Sequence, residues 1–99
     1  MVTTMLFPLG MVVATPGALR SATMSDLHRM LDRHMTGDWG YCDTDDKAVN
    51  DDAVRLGNRI ISSYAIDPKK PCKGYGNNTI WIITESDRST TTILLPDEY

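Results

Sequence analysis

The chain has 99 residues, 41% of them hydrophobic and 23% charged, with a formal net charge of −3. This is the composition of one globular domain, residues 1–99, long enough to bury a core of its own. The acidic balance argues against a dedicated nucleic-acid binder, and no run approaches the roughly eighteen apolar residues of a membrane-spanning helix.

Residues 1–22 form the most apolar stretch. It does not read as a secretory leader, because no basic residue precedes the apolar run and Pro8 and Gly10 interrupt it. Without a leader, Cys42 and Cys72 read as free thiols of a reducing compartment, and the expected location is the cytoplasm. Met11-Val12-Val13-Ala14 is a short β-prone run. At Thr15-Pro16 the hydroxyl can cap and the proline loses no needed donor, so a short helical turn over residues 16–21 follows. Free N–H groups there would attract a phosphate or carboxylate. With one glycine and no following Lys-Ser/Thr pair, Thr15-Pro16-Gly17-Ala18 matches no phosphate loop, and it reads as a cap.

A firmer helix starts at Ser25 as N-cap, with Asp26 complementing the dipole. Leu27, Met30, Leu31 and His34 recur at the spacing of one buried face, and Gly37 ends the helix. Trp39 is expected to lid the core. Asp43 or Thr44 caps the next helix, Asp45 and Asp46 follow in its first turn, and Val49, Ala53 and Leu56 form a narrow apolar stripe up to Gly57. Residues 59–66 read as a strand, with Ile60, Ser62 and Tyr64 on one face and Ile61, Ser63 and Ala65 on the other; alternation leaves open which face is inward. Residues 67–77 form a proline- and glycine-rich connection. The last quarter reads as two strands, Thr79-Ile80-Trp81-Ile82-Ile83-Thr84 and Thr90-Thr91-Thr92-Ile93-Leu94-Leu95, joined by a polar turn. The expected fold is α+β: a small three-stranded antiparallel β-meander, with room for a fourth short N-terminal strand, and two or three short helices packed on one face. A homodimer could form through an edge strand, the final strand pairing with its copy.

No metal or cofactor is expected. His28 and His34 lie six apart, too far round a helix to share a ligand, and there is no CxxC or HxxxH spacing. The aspartates of residues 43–52 lack EF-hand spacing. No nucleophile motif is present, so a non-catalytic protein is favoured; a small-ligand enzyme with its site near His34 and Trp39 is one alternative. The leading expectation is protein binding through the tip residues Glu85, Asp87 and Arg88, or through Asp45 and Asp46 on the acidic helix face. A second alternative is nucleic-acid contact through Lys69, Lys70, Lys73 and Tyr75, which mix positive charge with an aromatic ring.

Four segments carry a resemblance in collinear order. They are Phe7-Pro8-Leu9-Gly10 with Val13-Ala14-Thr15-Pro16-Gly17-Ala18-Leu19; Arg33-His34 with Gly37-Asp38-Trp39-Gly40; Arg59-Ile60-Ile61-Ser62-Ser63-Tyr64; and Ile80-Trp81-Ile82-Ile83-Thr84-Glu85 with Asp87-Arg88-Ser89 and Leu94-Leu95-Pro96. In these the chain resembles small "plasmid-related" proteins of bacterial plasmids and integrative elements. It departs from them in a longer connection at residues 67–77 and a shorter or more polar stretch at residues 20–23. The group carries no established activity. The resemblance implies an accessory role on a mobile element, of a regulatory or defence-evading kind.

Overall fold

The computed structural model describes residues 5–99. The first four residues of the leader-like apolar stretch lie outside the described residues. The elements are β1 (Met11–Ala14), α1 (Pro16–Ser21), α2 (Met24–Met35), α3 (Thr44–Leu56), β2 (Ile60–Ala65), β3 (Thr79–Thr84) and β4 (Thr90–Leu94), with a 3-10 turn over Pro96–Glu98. The fold is α+β, with one four-stranded sheet in the order β1-β4-β3-β2. β2, β3 and β4 form the antiparallel meander expected from the sequence. β1 joins it parallel to β4, so the sheet is mixed. The final strand is therefore interior and cannot be the one that pairs with a copy. Its outer groups are satisfied within the chain, with Met11 N–H donating to the Ser89 carbonyl and Thr15 N–H to that of Ile93.

The strand period settles which face is inward. Tyr64, Ile80, Ile82 and Ile93 point to one side, where they meet Ala18 of α1 and Leu27 and Met30 of α2. Phe7, Trp39, Ala53 and Ile60 extend the apolar layer towards α3. The N-cap of α2 is Thr23, not Ser25: its Oγ1 accepts from the Asp26 N–H at 3.0 Å. The helix so begins at Met24 and keeps Leu27, Met30 and His34 on its buried side.

The expected stripe of α3 does not pack as one. Ala53 is buried, but Val49 and Leu56 are exposed and Asn50 is buried instead. The reason is where α3 docks. It lies along the rim of β2, and the Asn50 amide stands in for a missing strand, donating to the Ile61 carbonyl at 2.7 Å and accepting from its N–H at 3.3 Å. Further along the same edge, Ser63 N–H donates to the Trp39 carbonyl and its own carbonyl accepts from Tyr41 N–H. Gly40 makes that approach possible, at φ 73°, since a Cβ there would sit 1.9 Å from the Ser63 oxygen. The outer edge of β2 is thus covered at Ile61 and Ser63.

The opposite sheet face carries no helix. Trp81 on it is covered by the C-terminal residues and the 67–77 connection, with Tyr99 edge-on at 5.7 Å and the indole N–H donating to the Gly74 carbonyl at 2.7 Å. Glu98 folds back to the start of α1, where its carboxylate accepts from Thr15 Oγ1 at 2.6 Å and from Leu95 N–H. These hydrogen bonds hold its carboxyl below the usual range. The cap expected at that helix start is present, Thr15 Oγ1 accepting from the Ala18 N–H at 3.1 Å.

Arg88 corrects another expectation. It is not offered to a partner at the hairpin tip. Its guanidinium donates to the carbonyls of Asn58 at 2.6 Å, Ala53 at 2.8 Å and Glu85 at 3.2 Å, and it lies 5.4 Å from the Phe7 ring centroid. It ties the end of α3 to the β3–β4 turn, and holds φ 60° to do so. Arg88→Ala is expected to lower unfolding stability by about 2–3 kcal/mol, the scale of charge-assisted hydrogen bonds lost from partly buried carbonyls. Arg88→Lys should recover little, because an ammonium lacks the fork. Urea midpoints at unchanged m-value check this, and a variant as stable as wild type refutes the clasp.

Candidate functional site

His34 and Trp39, one of the candidate sites, are sealed. His34 exposes none of its surface, and both ring nitrogens are engaged: Nδ1 with Ser62 Oγ at 2.6 Å and Nε2 with Thr84 Oγ1 at 2.8 Å. Thr84 Oγ1 lies 2.8 Å from Thr91 Oγ1, and Thr91 donates to the Leu9 carbonyl at 2.7 Å. A hydroxyl has one proton to give, so the chain's direction follows. Thr91 spends its proton on Leu9, Thr84 donates to Thr91, His34 Nε2–H donates to Thr84, and Ser62 donates to Nδ1. Phe7 meets the imidazole edge-on at 5.3 Å and Trp39 at 5.9 Å. Burial, with the Arg88 charge adding to it, pushes the His34 pKa down to about 3. A neutral imidazole with both nitrogens occupied and no exposed surface can serve neither as base nor as ligand. Trp39 is likewise buried, its indole N–H donating to Asp51 Oδ1 at 2.8 Å.

The open chemistry lies on the helix-free face. A hollow of about 470 Å³ has Ile61, Ser63 and Trp81 as its floor, flanked by Asp46, Val49 and Asn50 of α3 and by Lys73, Gly74 and Tyr75 of the 67–77 connection. Tyr41, Cys42, Asp43 and Arg59 complete it. Tyr75 is 64% exposed and Tyr41 45%. The connection is a built wall. Asn78 accepts from Asp67 N–H and donates to the carbonyls of Asp67, Lys70 and Pro71. Gly74, at φ 88°, lies against the Tyr41 carbonyl, and a Cβ there would come within 2.3 Å of that oxygen. The Cys42 thiol is held towards its protonated form. Burial first, then the Asp46 charge, pushes its pKa up, and it donates to the Trp39 carbonyl at 3.2 Å.

The candidate residues from the sequence are divided by this geometry. Asp46, Lys73 and Tyr75 meet in the hollow, though they came from different readings. Asp45 is exposed in the first turn of α3, and Lys69 and Lys70 are exposed in the turn after β2; none of the three lines the hollow. Asp87 is spent locally, accepting from Ser89 N–H and Oγ, and Glu85 stands 3.7 Å from Arg59 at the surface. Tyr41, Arg59 and Trp81 were not singled out by sequence reasoning. The available signal was Trp81, which alternates with Ile80 and Ile82 in a strand apolar on both faces. Among the described residues no group of three or more His, Cys, Asp or Glu side chains is placed to hold a metal, and no helix is long and apolar enough to cross a membrane. No protein-family model, curated protein or solved structure matches the chain.

Neutral His34 makes stability pH-dependent. The unfolded imidazole takes a proton near pH 6.5 and the folded one only near pH 3, so the contribution is intact above pH 6.5 and is lost as pH falls towards 3. Between pH 6.5 and 5, where carboxylates are still largely ionised, about 1.5 kcal/mol should be lost. His34→Gln should be less stable at pH 7 but flatter across that window. Urea titrations at the two pH values measure it, and an equal slope in both proteins would refute the assignment.

Proposed function

We propose that the chain is a non-catalytic binding protein that takes a protein partner in the hollow beside Trp81, in the accessory setting of a mobile element that the resemblance implies. The observation that carries this reading is the pairing of exposed Tyr41 and Tyr75 rings with a concave floor, held on ordered walls. Aromatic rings of this kind give large contact area at small entropic cost, and are enriched at protein interfaces. Sealed His34 and a Cys42 thiol whose pKa burial pushes up support binding over a small-ligand enzyme near His34 and Trp39. The lining sets Asp43 and Asp46 beside Arg59 and Lys73, which favours a segment carrying side chains of both signs.

The nucleic-acid reading keeps one support, since Lys73 and Tyr75 do line the hollow. Lys69 and Lys70 do not line the hollow, and the lining has no excess of positive charge, with Asp43 and Asp46 beside Arg59 and Lys73.

Peptides selected against the wild-type protein from a display library are expected to weaken at least about tenfold on Tyr75→Ala or Asp46→Lys, as central contacts do. They should be indifferent to Lys69→Ala and Asp87→Ala. Failure to select any binder, or binders insensitive to both groove variants, would remove the proposal. Binding of a single-stranded oligonucleotide that falls steeply with salt and is lost on Lys73→Ala would replace it with the nucleic-acid reading.

A further inference from the structure

We propose that β1 is a dimerisation edge: two copies of the chain pair antiparallel through Met11–Ala14 into one continuous eight-stranded sheet. This surface is separate from the hollow beside Trp81. The register of β1 on β4 turns the N–H and C=O groups of Met11 and Val13 towards β4, which leaves those of Val12 and Ala14 pointing outward. Among the described residues no backbone or side-chain group pairs with Val12. The other edge of the sheet is treated differently, with Asn50 pairing Ile61 and the Trp39 and Tyr41 backbone pairing Ser63 of β2.

The usual protections of a free edge are missing from β1. It has no charge, no proline and no bulge, and its side chains are exposed: Met11 by 68%, Val12 by 42% and Val13 by 38%. Residues 1–19 contain no charged side chain, so the strand itself brings no like charges to the contact. The strand is also complementary to itself. In an antiparallel pair centred on Val12, each Val12 exchanges two hydrogen bonds with its counterpart, Met11 faces Val13 of the second copy, and Ala14 faces Gly10. The two outer edges of the product are both β2, where the groups of Ile61 and Ser63 are taken and only Ala65 keeps its outward ones, too short a stretch to template a further strand. Assembly therefore stops at two.

A four-residue strand buries less area than a permanent dimer needs, so the association is weak, with Kd between about 10 μM and 1 mM. Sedimentation equilibrium of the full chain across that range tests it. The mass is expected to rise from one chain to two and no further. Val12→Pro removes an outward N–H and leaves the β1–β4 ladder intact, so it should stay at one chain with an unchanged circular-dichroism spectrum. Should that variant fail to fold, Val12→Lys places two charges across the axis and should raise Kd at least tenfold. A wild-type protein that stays single at 1 mM, or that grows beyond two, overturns the proposal. So does a dimer that survives the folded variant.

Discussion

One hydrogen-bonded line holds this fold in register. Ser62, His34, Thr84 and Thr91 belong to β2, α2, β3 and β4, and the line ends on the Leu9 carbonyl just before β1. Each member has one proton to give and one acceptor to satisfy, so only one tautomer of His34 completes it. Buried polar groups are costly when half-satisfied, and no buried side-chain nitrogen or oxygen lacks a partner among the described residues. The line therefore selects one placement of α2 on the sheet, which the apolar contacts of Leu27 and Met30 could not do alone. Apolar packing supplies the attraction, and the polar line supplies uniqueness.

The same logic reassigns the charged residues. Several charges, two of them recognition candidates in the sequence, are internal fasteners here. Arg88 closes the end of α3, Asp87 organises its own turn, and Glu98 caps the start of α1. Arg33 and Asp38 form a bidentate pair that holds the guanidinium 4.8 Å from the Tyr64 ring centroid. What is left unspent lies on the helix-free sheet face and along β1. Those are the two surfaces on which interaction is built in the readings above.

How much of this could be read in the sequence follows from the range of each interaction. The three helices and the meander were legible because their signals are local. Thr15-Pro16, Asp43 and Gly57 mark helix ends through groups a few residues away, and the β-branched runs mark strands. The place of β1 was not legible, because nothing near Met11 says that it pairs with Thr90. The Val49 stripe misled for a related reason. A helix docking on a strand edge through Asn50 needs a polar buried residue, and periodicity arguments assume an apolar one. His34 was placed correctly on the buried face of its helix, but its partners Ser62 and Thr84 lie 28 and 50 residues away and left no sign in its neighbourhood. The hollow gathers residues from four separate stretches, and only Asp46, Lys73 and Tyr75 had been marked.

The four bonds of the Asn78 side chain bear on how the hollow would be used. With the bonds from Trp81 to the Gly74 carbonyl and from Thr79 to that of Tyr75, they tie the connection at both ends before any partner arrives, so occupancy would carry little entropic charge for ordering that segment. Capture would then resemble a key meeting a finished lock. The backbones of the empty and filled protein should superpose closely, and encounter geometry rather than a slow rearrangement would set the association rate.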